Sequence, residues 1–205
     1  MRSHSSVTGI VLAGGLSRRL GRDKAVELVA GQMLIQRVLS RISQVTDEIV
    51  VVVNDTSRAS ALPIGTDAHL AIDMYPDSGS LGAIFTGLMA SHSDWGIVVA
   101  CDMPFLNIPL LQKILSLRDN HDAVVPLLNG RPEPIHSAYS KTCLPHIENK
   151  LQENNLKIAT FFNDIDVEYL QQEEVEMLDK NHYSFFNVNT EQDLETARQI
   201  AIKGM

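Results

Sequence analysis

Residues 12–25 read LAGGLSRRLGRDKA: two adjacent glycines, then Arg18, Arg19, Arg22 and Lys24 with Asp23 among them. Glycines let a backbone turn tightly and bring its N–H groups close to an anion. Ser17 adds a hydroxyl, and guanidinium and ammonium groups suit phosphate oxygens. Together these residues describe a phosphate cradle. It matches neither of the two commonest nucleotide motifs. Gly14 and Gly15 are adjacent and the next glycine is Gly21, which breaks G-x-G-x-x-G. Lys24 stands between Asp23 and Ala25, which breaks G-x-x-x-x-G-K-[S/T]. From the residues alone, a strand-to-helix turn carrying solvated cations accounts for the same pattern.

A second segment, CDMPF (101–105), follows an apolar run directly. A carboxylate at the carboxyl end of a central parallel strand is well placed to hold Mg²⁺ against phosphate oxygens, and Asp102 occupies that position. The alternative is an aspartate capping the following turn, helped by Pro104. Cys101 reads as a small buried residue rather than a nucleophile. In SFFNVNT (184–190), strand alternation puts Asn187 and Asn189 on one face, offering amide groups to a polar heterocycle or a phosphate. The alternative is one asparagine in a turn and one beside a helix cap. His136 has no visible partner for base catalysis and reads as a surface histidine or one at a remove from the chemistry.

Alternating strands and helices must position these groups. VTGIVLA (7–13), DEIVVVVN (47–54), HLAID (69–73), WGIVVACD (95–102) and DAVVPLL (122–128) read as strands from their β-branched apolar runs. Helices are expected over 31–42, with Leu34, Ile35, Val38, Leu39 and Ile42 at helical spacing, over 80–92, and over 107–119 behind an Asn107 cap. NGRPEP (129–134) reads as a turn, and 140–154 as one helix or two short ones despite Pro145. Residues 164–184 are acidic and ambiguous. SFFNVNT reads as a strand leading into a helix over 191–203, with Thr190 as cap and Asp193 completing a capping box. This alternation predicts a Rossmann-like, three-layer α/β sandwich with a mostly parallel sheet. No repeat or interdomain linker is visible, so a single domain over 1–205 is expected.

Composition bounds the function. The chain is 44 % hydrophobic and 20 % charged, an ordinary globular balance with enough apolar mass for a core. The net charge of −8 argues against general nucleic-acid binding. Residues 1–24 nevertheless carry a net +4, which suits a small anionic ligand on an acidic body. Cys101 and Cys143 are too few for a disulfide framework, so a reducing, cytoplasmic setting is expected. No apolar stretch approaches the roughly 18 residues of a membrane span, and the start lacks the pattern of a secretory signal. Neither a nucleic-acid nor a membrane partner is expected.

LAGGLSRRLGRDKA resembles the LAGGxSxRxGxDK signature of the molybdenum cofactor guanylyltransferases, within the wider nucleotidyltransferase group. CDMP resembles the family's C-D-x-P segment, RPEPIHSAYS its EPL-x-A-x-Y segment, and SFFNVNTEQDLE its F-x-N-x-NTPEDL ending, with Gln192 where Pro or Glu is usual. DSGSLGAIFTGL (77–88) stands where the family has a GPLAG-type loop, but has Ser80 for proline and Gly82-Ala83 in the reverse order. The resemblance implies the nucleotidyltransferase fold and GMP transfer from GTP to the phosphate of molybdopterin, with Mg²⁺ as cofactor.

The resemblance also implies roles. Lys24 and Arg18 act on the triphosphate and Asp102 holds the metal. Leu12, Ala13, Gly14, Gly15 and Ser17 receive the nucleotide, with Asn54 and Asp73 at further contacts. Read without the family, Asn54 and Asp73 are ordinary strand-end turn residues. Asn187 and Asn189 fall on the acceptor side. Molybdoenzymes or other cofactor-assembly proteins are implied as protein partners. Transfer of another nucleotide, such as CMP, transfer to a sugar phosphate, and a non-catalytic nucleotide-binding role are the alternatives.

Overall fold

The structure is a computed structural model of the chain, and it describes residues 6–15 and 23–203. In chain order the strands are β1 (Val7–Leu12), β2 (Leu28–Val29), β3 (Gln32–Met33), β4 (Glu48–Val53), β5 (His69–Ile72), β6 (Trp95–Ala100), β7 (Ala123–Leu128), β8 (Arg131–Pro132), β9 (Ser137–Ser140) and β10 (Val167–Leu170). The helices are α1 (Leu34–Ile42), α2 (Thr56–Ala61), α3 (Gly79–Ala90), α4 (Ile108–Ser116), α5 (Leu144–Gln152), α6 (Gln172–Leu178) and α7 (Glu191–Ile202).

The main sheet runs β10-β7-β9-β6-β1-β4-β5, with β8 paired to β7. β1 is parallel to both β4 and β6, and β4 to β5. β9 is antiparallel to both of its neighbours, β6 and β7. The expected mostly parallel, three-layer α/β architecture is therefore present.

Strand alternation divides the apolar residues between the two faces. Val11, Val51 and Val99 meet Ile35 and Val38 of α1 and Leu111 and Ile114 of α4 on one side. Ile10, Val50 and Val98 meet Ile84 and Leu88 of α3 and Ile147 of α5 on the other. Runs of consecutive valine and isoleucine are what a sheet covered on both faces requires. A smaller apolar cluster joins Leu34 and Val29 to Phe105, Val188 and Leu194, and so seats α7 beside the sheet's carboxyl edge.

Three expectations are corrected. Residues 31–33 are not helical: Ala30 and Gly31, at φ 49° and 79°, form the left-handed pair that closes the β2–β3 hairpin, and α1 starts only at Leu34. Residues 184–190 are not a strand. Tyr183–Phe185 form a 3₁₀ turn, and the irregular chain beyond it is pinned where the Val188 N–H donates to the Asp102 carbonyl at 2.9 Å. His136 is not at the surface but fully buried. The ambiguous stretch 164–184 supplies β10 and α6. The helix caps at Asn107 and Thr190 form as expected, the Asn107 Oδ1 accepting the Leu110 N–H at 2.9 Å.

Candidate active site

Parallel strands align their carboxyl ends, so the residues that follow β6, β1, β4 and β5 stand side by side. These are Asp102, Gly14, Asn54 and Asp73, spread over about three strand spacings, roughly 14 Å. They line a cleft of about 500 Å³, together with Leu12, Gly15, Lys24, Asn187 and Asn189.

Gly14 permits a close approach by the Asn54 side chain. A β-carbon there would stand 1.9 Å from the Asn54 Oδ1 atom. Ala13, one residue earlier, lies behind the cleft wall with both backbone groups engaged. Its N–H donates to the Val52 carbonyl at 2.8 Å, and its carbonyl accepts from Arg58 Nε at 3.0 Å. Ser17, Arg18, Arg19 and Arg22 lie outside the described residues.

Three side chains far apart in sequence converge. Lys24 Nζ is paired with Asp102 Oδ2 and donates to Asn189 Oδ1 at 3.0 Å. Lys24 is aimed by the short turn Lys24–Val26, which Asp23 caps by accepting the Ala25 N–H at 3.0 Å. Asn189 is aimed by the capping box of α7, where Asp193 Oδ2 accepts the N–H groups of Asn189 and Thr190 at 3.0 and 2.8 Å. Asp102 is largely buried, and its second oxygen, Oδ1, is buried with no hydrogen-bond partner among the described residues. A buried carboxylate oxygen without a donor is costly unless a ligand completes it.

The end of the cleft beside β5 differs in character. Asp73 is buried, and its Oδ1 accepts the Tyr75 N–H at 3.0 Å and the Thr86 hydroxyl at 2.9 Å. This holds the carboxylate rigidly where β5 ends. Asp77, Gly79 and Ser80 extend the same wall. Asp77 and Gly79 both have positive φ, 73° and 62°, so the loop that departs from the GPLAG-type pattern is a tight turn into α3.

Asn187 reaches the cleft without the strand that was expected to orient it, its Nδ2 donating to the Phe185 carbonyl at 3.0 Å. His136 lies behind this segment. The Ser184 hydroxyl accepts the Asn107 N–H at 2.9 Å and lies 3.1 Å from His136 Nε2, which ties the ring to the segment that leads to Asn187. Burial pulls the His136 pKa down to about 3, so the ring is neutral and serves as a wedge between segments. Burial pushes the Cys101 thiol up to about 12, against a role as nucleophile.

A family model described as MobA-like NTP transferase domain matches residues 9–166. The chain belongs to the MobA-like NTP transferases. Relatives in this family are similar over almost the whole length. The molybdenum cofactor guanylyltransferase of Desulfosudis oleivorans is 36 % identical over 200 residues, covering 97 % of this chain and 96 % of that one. A probable molybdenum cofactor guanylyltransferase of Natranaerobius thermophilus is 32 % identical, covering 95 % and 96 %. Among solved structures, molybdopterin-guanine dinucleotide biosynthesis protein A of Archaeoglobus fulgidus superposes with a TM-score of 0.83 at 30 % identity, covering 96 % of this chain and 99 % of that one. This MobA-like transferase thus has the nucleotidyltransferase fold expected from its motifs. No helix among its described residues is long and apolar enough to cross a membrane. The sequence reading missed Ala83, Ala100 and Ile135 in the cleft lining, and beside the cleft Arg58, which nothing in TSRASA distinguishes from any exposed helical arginine.

Proposed function

We propose that the chain transfers GMP from GTP to the phosphate of molybdopterin, giving molybdopterin guanine dinucleotide and pyrophosphate. One observation carries the reading: Lys24, Asp102 and Asn189 meet in a cleft bordered by the Gly14–Gly15 turn, within a MobA-like transferase. The names of its relatives point to the guanylyl donor and the molybdenum cofactor.

In this reading Leu12, Gly14, Gly15, Asn54 and Asp73 receive the nucleoside, and Lys24, with Ser17 and Arg18, grips the phosphates. Asp102 is the residue that would hold Mg²⁺, since its Oδ1 is a hard, anionic oxygen with no partner among the described residues. No group of three or more His, Cys, Asp or Glu able to hold a metal occurs among the described residues, which suits an ion completed by phosphate oxygens and water. When bound, magnesium neutralises triphosphate charge and stabilises the departing pyrophosphate.

Asn187 and Asn189 orient the acceptor. Its phosphate is already anionic near neutral pH, so no strong general base is needed. The work of the residues is to bring two anions into line and offset their repulsion. Lys24 is suited to this because Asp102 and Asn189 fix its ammonium group before a substrate arrives. Two buried, free cysteines are in keeping with the cytoplasm, and molybdoenzymes or other cofactor-assembly proteins are the partners this product calls for.

The test is pyrophosphate release by purified protein with molybdopterin and either GTP or CTP, with magnesium and with chelator, and the product identified by mass. Release that requires GTP and magnesium is expected. Preference for CTP, or no release with any nucleotide, would remove the assignment.

A further inference from the structure

Arg58 stands on α2, a six-residue helix with no buried residue, yet its side chain is only 16 % exposed. Asp55 sets its root by accepting the Arg58 backbone N–H at 2.8 Å. From there the guanidinium reaches two separate points of the chain. Nε donates to the Ala13 carbonyl at 3.0 Å, and Nη1 is paired with the Asp23 carboxylate.

These anchors belong to the two halves of the site. Ala13 leads into the Gly14–Gly15 turn against Asn54. Asp23 immediately precedes Lys24 and caps the turn that carries it. A planar guanidinium offers donors on separate nitrogens at a fixed separation, whereas a lysine has all its donors on one nitrogen and cannot span two acceptors held that far apart in the same way. The geometry calls for arginine.

We propose that Arg58 is a positioning residue for the nucleotide. By clasping Ala13 to Asp23, it sets the distance between the turn that receives the nucleoside and the lysine that grips the phosphates. The proposal rests on the guanylyl-transfer reading. Arg58 touches no substrate in this role. It makes one rigid site of two halves, so that a ligand spanning both gains from both at once. Removing the clasp leaves each half present but their separation unset.

Titration calorimetry with magnesium tests this, using GTP and inorganic tripolyphosphate as separate probes. Arg58→Ala is expected to weaken GTP binding about tenfold and tripolyphosphate binding less than twofold. Arg58→Lys is expected to lose nearly as much GTP affinity as Arg58→Ala. Adding Asp23→Asn to Arg58→Ala should cost little more, because the pair acts as a unit. Methylguanidine should restore part of the GTP affinity of Arg58→Ala and leave the wild type unchanged. A merely structural role would lower the melting temperature and weaken both probes together. Unchanged GTP affinity in Arg58→Ala, or equal losses for both probes, overturns the proposal alone. A wild-type chain that binds no GTP overturns the guanylyl-transfer reading and this proposal with it.

Discussion

Lys24 Nζ donates to Asn189 Oδ1 across 3.0 Å, joining the glycine-rich segment to the cap of α7. The same ammonium is paired with Asp102, so its aim is set from two directions. Asn189→Ala should lower kcat/KM for GTP by about tenfold, the usual loss for one hydrogen bond to a charged group. Stability should change by less than about 1 kcal/mol. Initial rates and urea unfolding check both, and an unchanged kcat/KM would mean that the Asn189 bond does not set the lysine's aim.

Asp102 offers Oδ2 to Lys24, and its Oδ1 has no partner among the described residues. Asp102→Asn retains an oxygen for Lys24 but removes the charge. Turnover should fall by at least about a hundredfold, with a smaller loss of nucleotide binding. Rates measured against magnesium concentration, beside equilibrium binding, separate the two effects. Wild-type turnover in this variant would rule out Asp102 as the metal-holding group.

Gly14 and Asn54 compete for one space, since a β-carbon on Gly14 would lie 1.9 Å from the Asn54 amide oxygen. Asn54 is exposed and has room to turn away. Gly14→Ala should therefore raise the KM for GTP by about tenfold while stability falls by only about 1 kcal/mol. Adding Asn54→Ala should recover that stability without recovering the KM. Recovery of both would show that the asparagine contributes nothing to nucleotide binding.

His136 provides a pH-dependent test of the fold. Burial pulls its pKa from 6.5 to about 3, so the unfolded chain takes up a proton that the folded one refuses. This contribution to stability is complete above about pH 6.5 and is lost at about 1.4 kcal/mol per pH unit as pH falls toward 3. Urea unfolding at steps from about pH 6.5 down to about 4.5 spans the useful window. His136→Gln should flatten the slope there by one proton. Equal slopes would show that the histidine ionises inside the folded protein.

Runs such as VVVV in β4 declare buried parallel strands, and Asn107 and Thr190 declare helix starts, because one local rule decides each. SFFNVNT misleads for a physical reason. Phe186 and Val188 are needed not by a sheet but by the cluster of Phe105 and Leu194 that seats α7, and Phe185 packs on the main core beside His136. β9 carries no signal because SAYS is short and half polar, and its place between β6 and β7 comes from tertiary pairing. The residue types of Lys24, Asp102 and Asn189 were legible, but their mutual contact is a product of topology. Arg58 was illegible because its value lies in what α2 brings it beside.

The dependence of Asn189 on Asp193 carries a lesson about synthesis. A ribosome releases the glycine turn, Lys24 and Asp102 long before the cap that aims the asparagine. A nascent chain stalled short of that aspartate has its sheet strands but not the finished grip on its cation. The hold on Lys24 from the α7 side is thus completed only once translation has passed the α7 cap.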